Sequence, residues 1–161
     1  SGLKTFHASA EQTPGRLDIF DFPDFKVKVD FAHNPEGFSG IRDFLKTINS
    51  PYHIGIITGT GDRPDDSIIK LGYISAEMFD HIIIHQAKFH RGRTPQAIVD
   101  LLIEGIKSYN PDCSFEYIPD EVEPLQYAMS KVNKDAFITA LSDVLNNPIE
   151  LIRSYQNDYK K

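Results

Sequence analysis

One cysteine, no long apolar run and no excess of positive charge set the outer limits on this 161-residue chain. The lone Cys113 cannot build a disulfide framework and fits a reducing compartment, so a cytoplasmic protein is expected. No apolar stretch approaches the ~18 residues that a membrane-spanning helix needs, and no signal-peptide pattern is present, so no membrane partner is expected. Lys+Arg number 17 against Asp+Glu 23, a formal balance of −6. That speaks against a nucleic-acid partner, because a general nucleic-acid binder needs a basic face to displace counterions. Repeats and low-complexity runs are missing. So are a Gly-Lys-Ser or Gly-Lys-Thr phosphate loop and a nucleophile elbow for Ser/His/Asp catalysis. His81, His85 and His90 have no Cys or acid at zinc spacing, so no metal site is expected.

What is there is an ordinary globular composition, 40% hydrophobic and 25% charged, in a length that suits one well-buried domain. The chain begins Ser1-Gly2 without Met and is expected to be a piece of something longer. Residues 1–12 are polar and aperiodic, a linker or the tail of a preceding domain; residues 13–161 form the domain. Residues 17–22 and 25–31 alternate with period two across Pro23-Asp24, which predicts a hairpin. Phe38, Ile41, Leu45 and Ile48 then recur at helical spacing after Pro35. Apolar strands are predicted at 53–58, 80–85, 114–118 and 136–141. Helices are predicted between them, with Ile98, Leu101, Leu102, Ile106 and Tyr109 as one buried stripe and Asp120 as a cap for the helix carrying Leu125 and Met129. A last amphipathic helix starts at Asn147-Pro148. Strand and helix alternate five times. The pattern predicts an α/β, three-layer Rossmann-like fold: a mostly parallel sheet of about six strands, helices on both faces and an antiparallel N-terminal edge strand.

In such a sheet ligands bind at the carboxyl ends of the strands. Residues 30–35, 59–63, 85–93 and 141–143 should therefore line one rim. Asp30 can accept hydrogen bonds from a ribose diol, and His33 can stack on a base or bond a phosphate. Asp30 and Asn34 read equally well as caps of the following helix, with His33 filling a turn. Gly59-Thr60-Gly61-Asp62-Arg63 has only two glycines of a dinucleotide fingerprint, because Pro64 stands where the third belongs, and it reads more simply as a turn. Lys88, Arg91 and Arg93 concentrate positive charge in a short span of an acidic chain, suited to carboxylate or phosphate, or to plain solvation. Cys113 reads as an inert, partly buried thiol.

Taken in order, Pro14-Gly15-Arg16-Leu17-Asp18, Val29-Asp30-Phe31-Ala32-His33-Asn34-Pro35 and Gly59-Thr60-Gly61-Asp62-Arg63 resemble the C-terminal domain of the Mur ligase superfamily. The Pro-Gly-Arg start, the Asp-Phe-Ala-His-Asn-Pro-x-Gly wording and Arg91-Gly92-Arg93-x-Pro95 are most similar to cyanophycin synthetases. The resemblance implies the C-terminal domain of an ATP-dependent acid–amino-acid ligase, one that phosphorylates a carboxylate and lets an amine displace the phosphate. ATP and Mg2+ would be held mainly by a preceding central ATPase domain of the same chain, the principal partner. The other partners would be small-molecule or peptide acid and amino acid substrates, and homo-oligomer formation by the full-length protein stays open. By motif match Arg16, Asp30, His33 and Asn34 would contact the nucleotide, and Arg91 and Arg93 the substrate. No complete catalytic set is expected in this chain, and the isolated chain is expected to be inactive. The alternatives are the same domain of a Mur peptidoglycan-precursor ligase or a folylpolyglutamate synthase, or a non-catalytic nucleotide-binding module with this fold.

Overall fold

Alternating apolar runs too short for helices must pair as strands, and the amphipathic segments between them must cover the sheet so formed. A computed structural model of the chain describes residues 18–30, 32–59, 61–85, 92–118, 122–132, 134–141 and 146–159. The strands are β1 (Asp18–Asp21), β2 (Phe25–Asp30), β3 (His53–Ile57), β4 (His81–Ile84), β5 (Ser114–Tyr117) and β6 (Ala136–Leu141). The helices are α1 (Pro35–Leu45), α2 (Asp65–Met78), α3 (Pro95–Tyr109), α4 (Pro124–Lys131) and α5 (Asn146–Tyr159). They build one six-stranded sheet in the order β1-β2-β6-β3-β4-β5. Only β1 runs antiparallel, hairpinned to β2. The remaining neighbours are parallel.

The order explains the layers. From β2 the chain steps one way across the sheet through β3, β4 and β5. It then reverses to insert β6 between β2 and β3. Parallel crossovers keep one hand, so reversing direction moves the connecting helices to the opposite face. Two separate cores result. Phe38 of α1, Leu71 of α2 and Leu102 of α3 share one with Ile57, Ile84 and Phe137. Leu125 of α4 and Ile152 of α5 share the other with Val27, Ile54 and Ile138. The central strand β6 is buried along its whole length. Helices α2 and α3 approach closely through Gly72 and Gly105, where an added Cβ would sit 2.1 Å from the Leu102 carbonyl oxygen and 1.8 Å from that of Ile69.

Several element ends differ from the sequence pattern. Helix α1 stops at Leu45, and Ile48 reaches the core from the turn beyond it. Tyr109 is not in the buried stripe of α3; it is 45% exposed and packs edge-on against Tyr73. Helix α4 is capped by Glu123, whose carboxylate accepts the Gln126 N–H at 2.5 Å; Asp120, the cap expected from sequence, lies outside the described residues. Helix α5 begins at Asn146, one residue before the Asn147-Pro148 signal.

Candidate functional site

The reversal of direction creates a topological switch point between β2 and β6. The chain leaving β2 turns to one face, whereas the chain leaving its neighbour β6 leads to a helix on the other. Open α/β sheets bind ligands at such switch points, outside the carboxyl ends of the strands. Asp30 is the last residue of β2 and stands in register with Leu141, the last of β6. The strand end, the start of α1 and the loop after β3 therefore meet at one rim.

Asp30 does not cap α1. Its Oδ1 accepts the Ala32 N–H at 2.9 Å, closing a tight turn. Its Oδ2 lies 3.2 Å from the ammonium of Lys28, and 17% of the Asp30 side chain stays exposed. Asn34 is the N-cap: its Oδ1 accepts the Gly37 N–H at 2.7 Å, and Pro35 follows at the first helical position. Gly37 is needed for this close fit, because a Cβ there would meet the Ala32 Cβ at 3.0 Å and the Asn34 Oδ1 at 3.2 Å. His33 is half-buried between the two. The capping reading thus holds for Asn34 alone, and the positive end of α1 opens beside Asp30 and His33.

The neighbouring loop is fastened from across the rim. Arg93 donates from Nε to the Gly61 carbonyl at 3.1 Å and from Nη2 to the Arg63 carbonyl at 2.9 Å. The same Nη2 is 2.7 Å from Asp65 Oδ1, at the first turn of α2. Gly92 precedes it with φ +92°, a left-handed conformation that suits glycine. Thr94 then caps α3 by accepting the Ala97 N–H at 3.1 Å. Arg93 therefore holds the loop at Gly61 and Arg63 in place, a clamp the sequence pattern did not reveal. Arg16, Lys88, His90 and Arg91 lie outside the described residues, as do Phe31, Thr60 and residues 1–12.

Lys28 is the residue that sequence reasoning missed. It is 1% exposed, although strand alternation put it on a polar face. Its ammonium lies over the Phe44 ring of α1, 5.2 Å from the centroid. Its 3.2 Å approach to Asp30 is an ion pair without hydrogen-bond alignment. The available signal was spacing: residues 28 and 30 of one strand share a face.

A second polar cluster sits at the other end of the sheet. His81 Nδ1 is 2.6 Å from Ser114 Oγ, and its Nε2 is 2.7 Å from Glu116 Oε2. The Tyr127 hydroxyl donates to Glu116 Oε1, and Lys131 donates to that hydroxyl at 2.5 Å. Burial pushes the Glu116 carboxyl up. The hydrogen bonds from Tyr127 and His81, with the nearby His81 and Lys131 charges, outweigh it and leave the group below its ordinary value. Burial and then the Asp80 charge raise the Cys113 thiol, which makes a poor nucleophile of it. Among the described residues no group of three or more His, Cys, Asp or Glu side chains comes together as a metal site.

Known proteins place these features in a family. The family described as Mur ligase, glutamate ligase domain, matches residues 15–143. A cyanophycin synthetase of Geminocystis herdmanii is 38% identical over 154 residues, 96% of this chain and 18% of its own length. The chain thus spans less than a fifth of that relative. Among solved structures, a UDP-N-acetylmuramoyl-L-alanyl-D-glutamate–2,6-diaminopimelate ligase superposes with a TM-score of 0.71 at 15% identity, covering 96% of this chain and 37% of its own. E. coli FolC in complex with ADP superposes with a TM-score of 0.68 at 17% identity, covering 89% and 32%.

Proposed function

Because the chain belongs to the Mur ligase C-terminal domain family, we propose that it closes over ATP in a cyanophycin-synthetase-like, ATP-dependent ligase and positions the incoming amino acid. The observation that carries this reading is Asp30 at the switch point, with both carboxylate oxygens held from within the chain and one side left toward the rim. Such a carboxylate fits the hydroxyls of a ribose, which donate to it without any change in its own position. His33 and the start of α1 lie beside it, suited to the base and to negative charge. The capping bond of Asn34 uses only its side-chain oxygen, so its NH2 can still serve the nucleotide. ATP would supply the phosphoryl group that activates a carboxylate toward an amine.

These residues fit the nucleoside end of ATP. Mg2+ and the triphosphate we assign to a preceding central domain of the kind that carries a Gly-Lys-Ser or Gly-Lys-Thr loop, a sequence absent from this chain. Closing the present domain over the nucleotide excludes water and brings the last contacts into place. Arg16 and Arg91 keep the roles the resemblance implies, at the nucleotide and the substrate. Arg93 acts on the same rim through the loop it fastens. The cyanophycin-type reading is favoured over a peptidoglycan-precursor ligase by 38% identity across 96% of the chain, against 31% across 71% for a UDP-N-acetylmuramoyl-L-alanyl-D-glutamate–2,6-diaminopimelate ligase of Caldanaerobacter subterraneus.

The test is Asp30→Ala and His33→Ala in the full-length protein, read as the KM for ATP in a ligation assay. A rise is expected in both. Unchanged ligation in both variants would overturn the site.

A further inference from the structure

We propose that Lys28 is a positioning residue for the nucleoside end of the nucleotide, acting through Asp30. The inference rests on the nucleotide reading above and adds a residue to it. Its ground is a lysine that the core does not require. Lys28 lies in β2 between β1 and β6, with α1 over it, and is 1% exposed. A buried ion pair is weak support for stability, since apolar side chains of similar volume commonly replace one without loss. Next to it in register, the Thr139 hydroxyl is buried without a hydrogen-bond partner among the described residues, so no polar network uses the ammonium from that side. What the ammonium does reach is Oδ2 of Asp30 at 3.2 Å.

Two consequences follow at the rim. The Ala32 N–H fixes one carboxylate oxygen and Lys28 the other, so Asp30 is held in one orientation before any ligand arrives. The positive charge also cancels the carboxylate charge locally. A bare anion would repel a polyanionic nucleotide; a neutralised pair still offers acceptor lone pairs to neutral hydroxyls. Lys28 therefore lets an acidic residue recognise a sugar on a molecule that carries phosphates.

The experiment measures equilibrium binding of a non-hydrolysable ATP analogue and of its 2′,3′-dideoxy counterpart to the full-length protein. Wild type should prefer the hydroxylated form by ~10-fold or more, the scale of hydrogen bonds to a charged group. Asp30→Ala should abolish the preference. Lys28→Met should cut it to about threefold or less, weakening the hydroxylated analogue more than the dideoxy one, which loses only what the bare carboxylate costs its phosphates by repulsion. Equal weakening of both analogues would mean that Lys28 is only structural, and an intact preference would mean that it plays no part; either overturns the proposal. An intact preference in Asp30→Ala would instead overturn the underlying nucleotide reading. Should Lys28→Met fail to fold, Lys28→Gln, neutral and of similar length, carries the same comparison.

Discussion

The two ends of the sheet carry polar clusters of similar make-up and opposite design. At the amino end His81, Glu116, Tyr127 and Lys131 form a chain in which each member is bonded to the next. At the carboxyl end, among the described residues, Lys28 and Asp30 are tied to each other, to one backbone N–H and to the Phe44 ring, and part of the carboxylate faces outward. A cluster whose members satisfy one another ties β4, β5 and α4 together and has little left for a ligand. A cluster held rigidly on one side and open on the other is what recognition requires. A histidine or a carboxylate is therefore judged by what its neighbours leave over.

The largest expected effect separates the two clusters. Asp30→Ala should raise the ATP KM of the full-length protein about 10- to 100-fold, the scale of losing hydrogen bonds to a charged acceptor. Its unfolding midpoint should fall as well, because the Lys28 ammonium, 1% exposed, loses its carboxylate partner. Glu116→Ala should leave nucleotide use alone: denaturant titration should show a loss of about 1–2 kcal/mol, with an unchanged ATP KM. If Glu116→Ala impaired nucleotide use, the contrast between the two ends would fail.

Arg93→Ala should fall between them. It frees two carbonyls and one carboxylate on exposed or half-exposed loop, so a stability loss of about 1 kcal/mol is expected. A severalfold rise in the ATP or amino acid KM should accompany it, because the loop it fastens borders the same rim.

The smallest effect is the response to pH, which the amino end should dominate. Burial, partly offset by Asp80, holds His53 below its ordinary value of 6.5. Below pH 6.5 the unfolded chain takes up this proton before the folded chain does, so stability falls as the solution is acidified through that window. Glu116 titrates below its ordinary 4.5 in the folded chain, so its contribution is present above about that pH and is lost as pH falls through the folded value. His53→Asn should flatten the upper window and Glu116→Gln the lower, each by under about 1 kcal/mol. Coincident pH–stability curves for wild type and both variants would remove the titrating groups from the amino end.

The strands and their order of appearance were legible because period-two and apolar runs report directly on pairing and burial, as in His53–Ile57 and Ala136–Leu141. The rim was legible at Asp30 and Asn34 for the same reason: strand ends and caps are local. Lys28 was not, because alternation tells which residues share a face but not whether a helix will cover that face. Here α1 does, through Phe44. The Arg93 clamp was hidden because its partners, Gly61 and Arg63, offer backbone carbonyls, which every residue has. Tyr109 misled because periodicity at the last turn of a helix continues past the point where the neighbouring helix stops covering it.

The placement of β6 has a consequence for how the molecule is made. Asp30 emerges well before β6, the parallel partner of β2 and the last of the six described strands, and the gap between β2 and β3 stays empty until β6 is made. Such distant pairing is slow, since the loop must close before any contact rewards it. The rim at Asp30 is therefore the last part of the sheet to mature. A ribosome-bound chain ending before Ala136 should expose the apolar margins of β2 and β3 to chaperones, with nothing yet to bind.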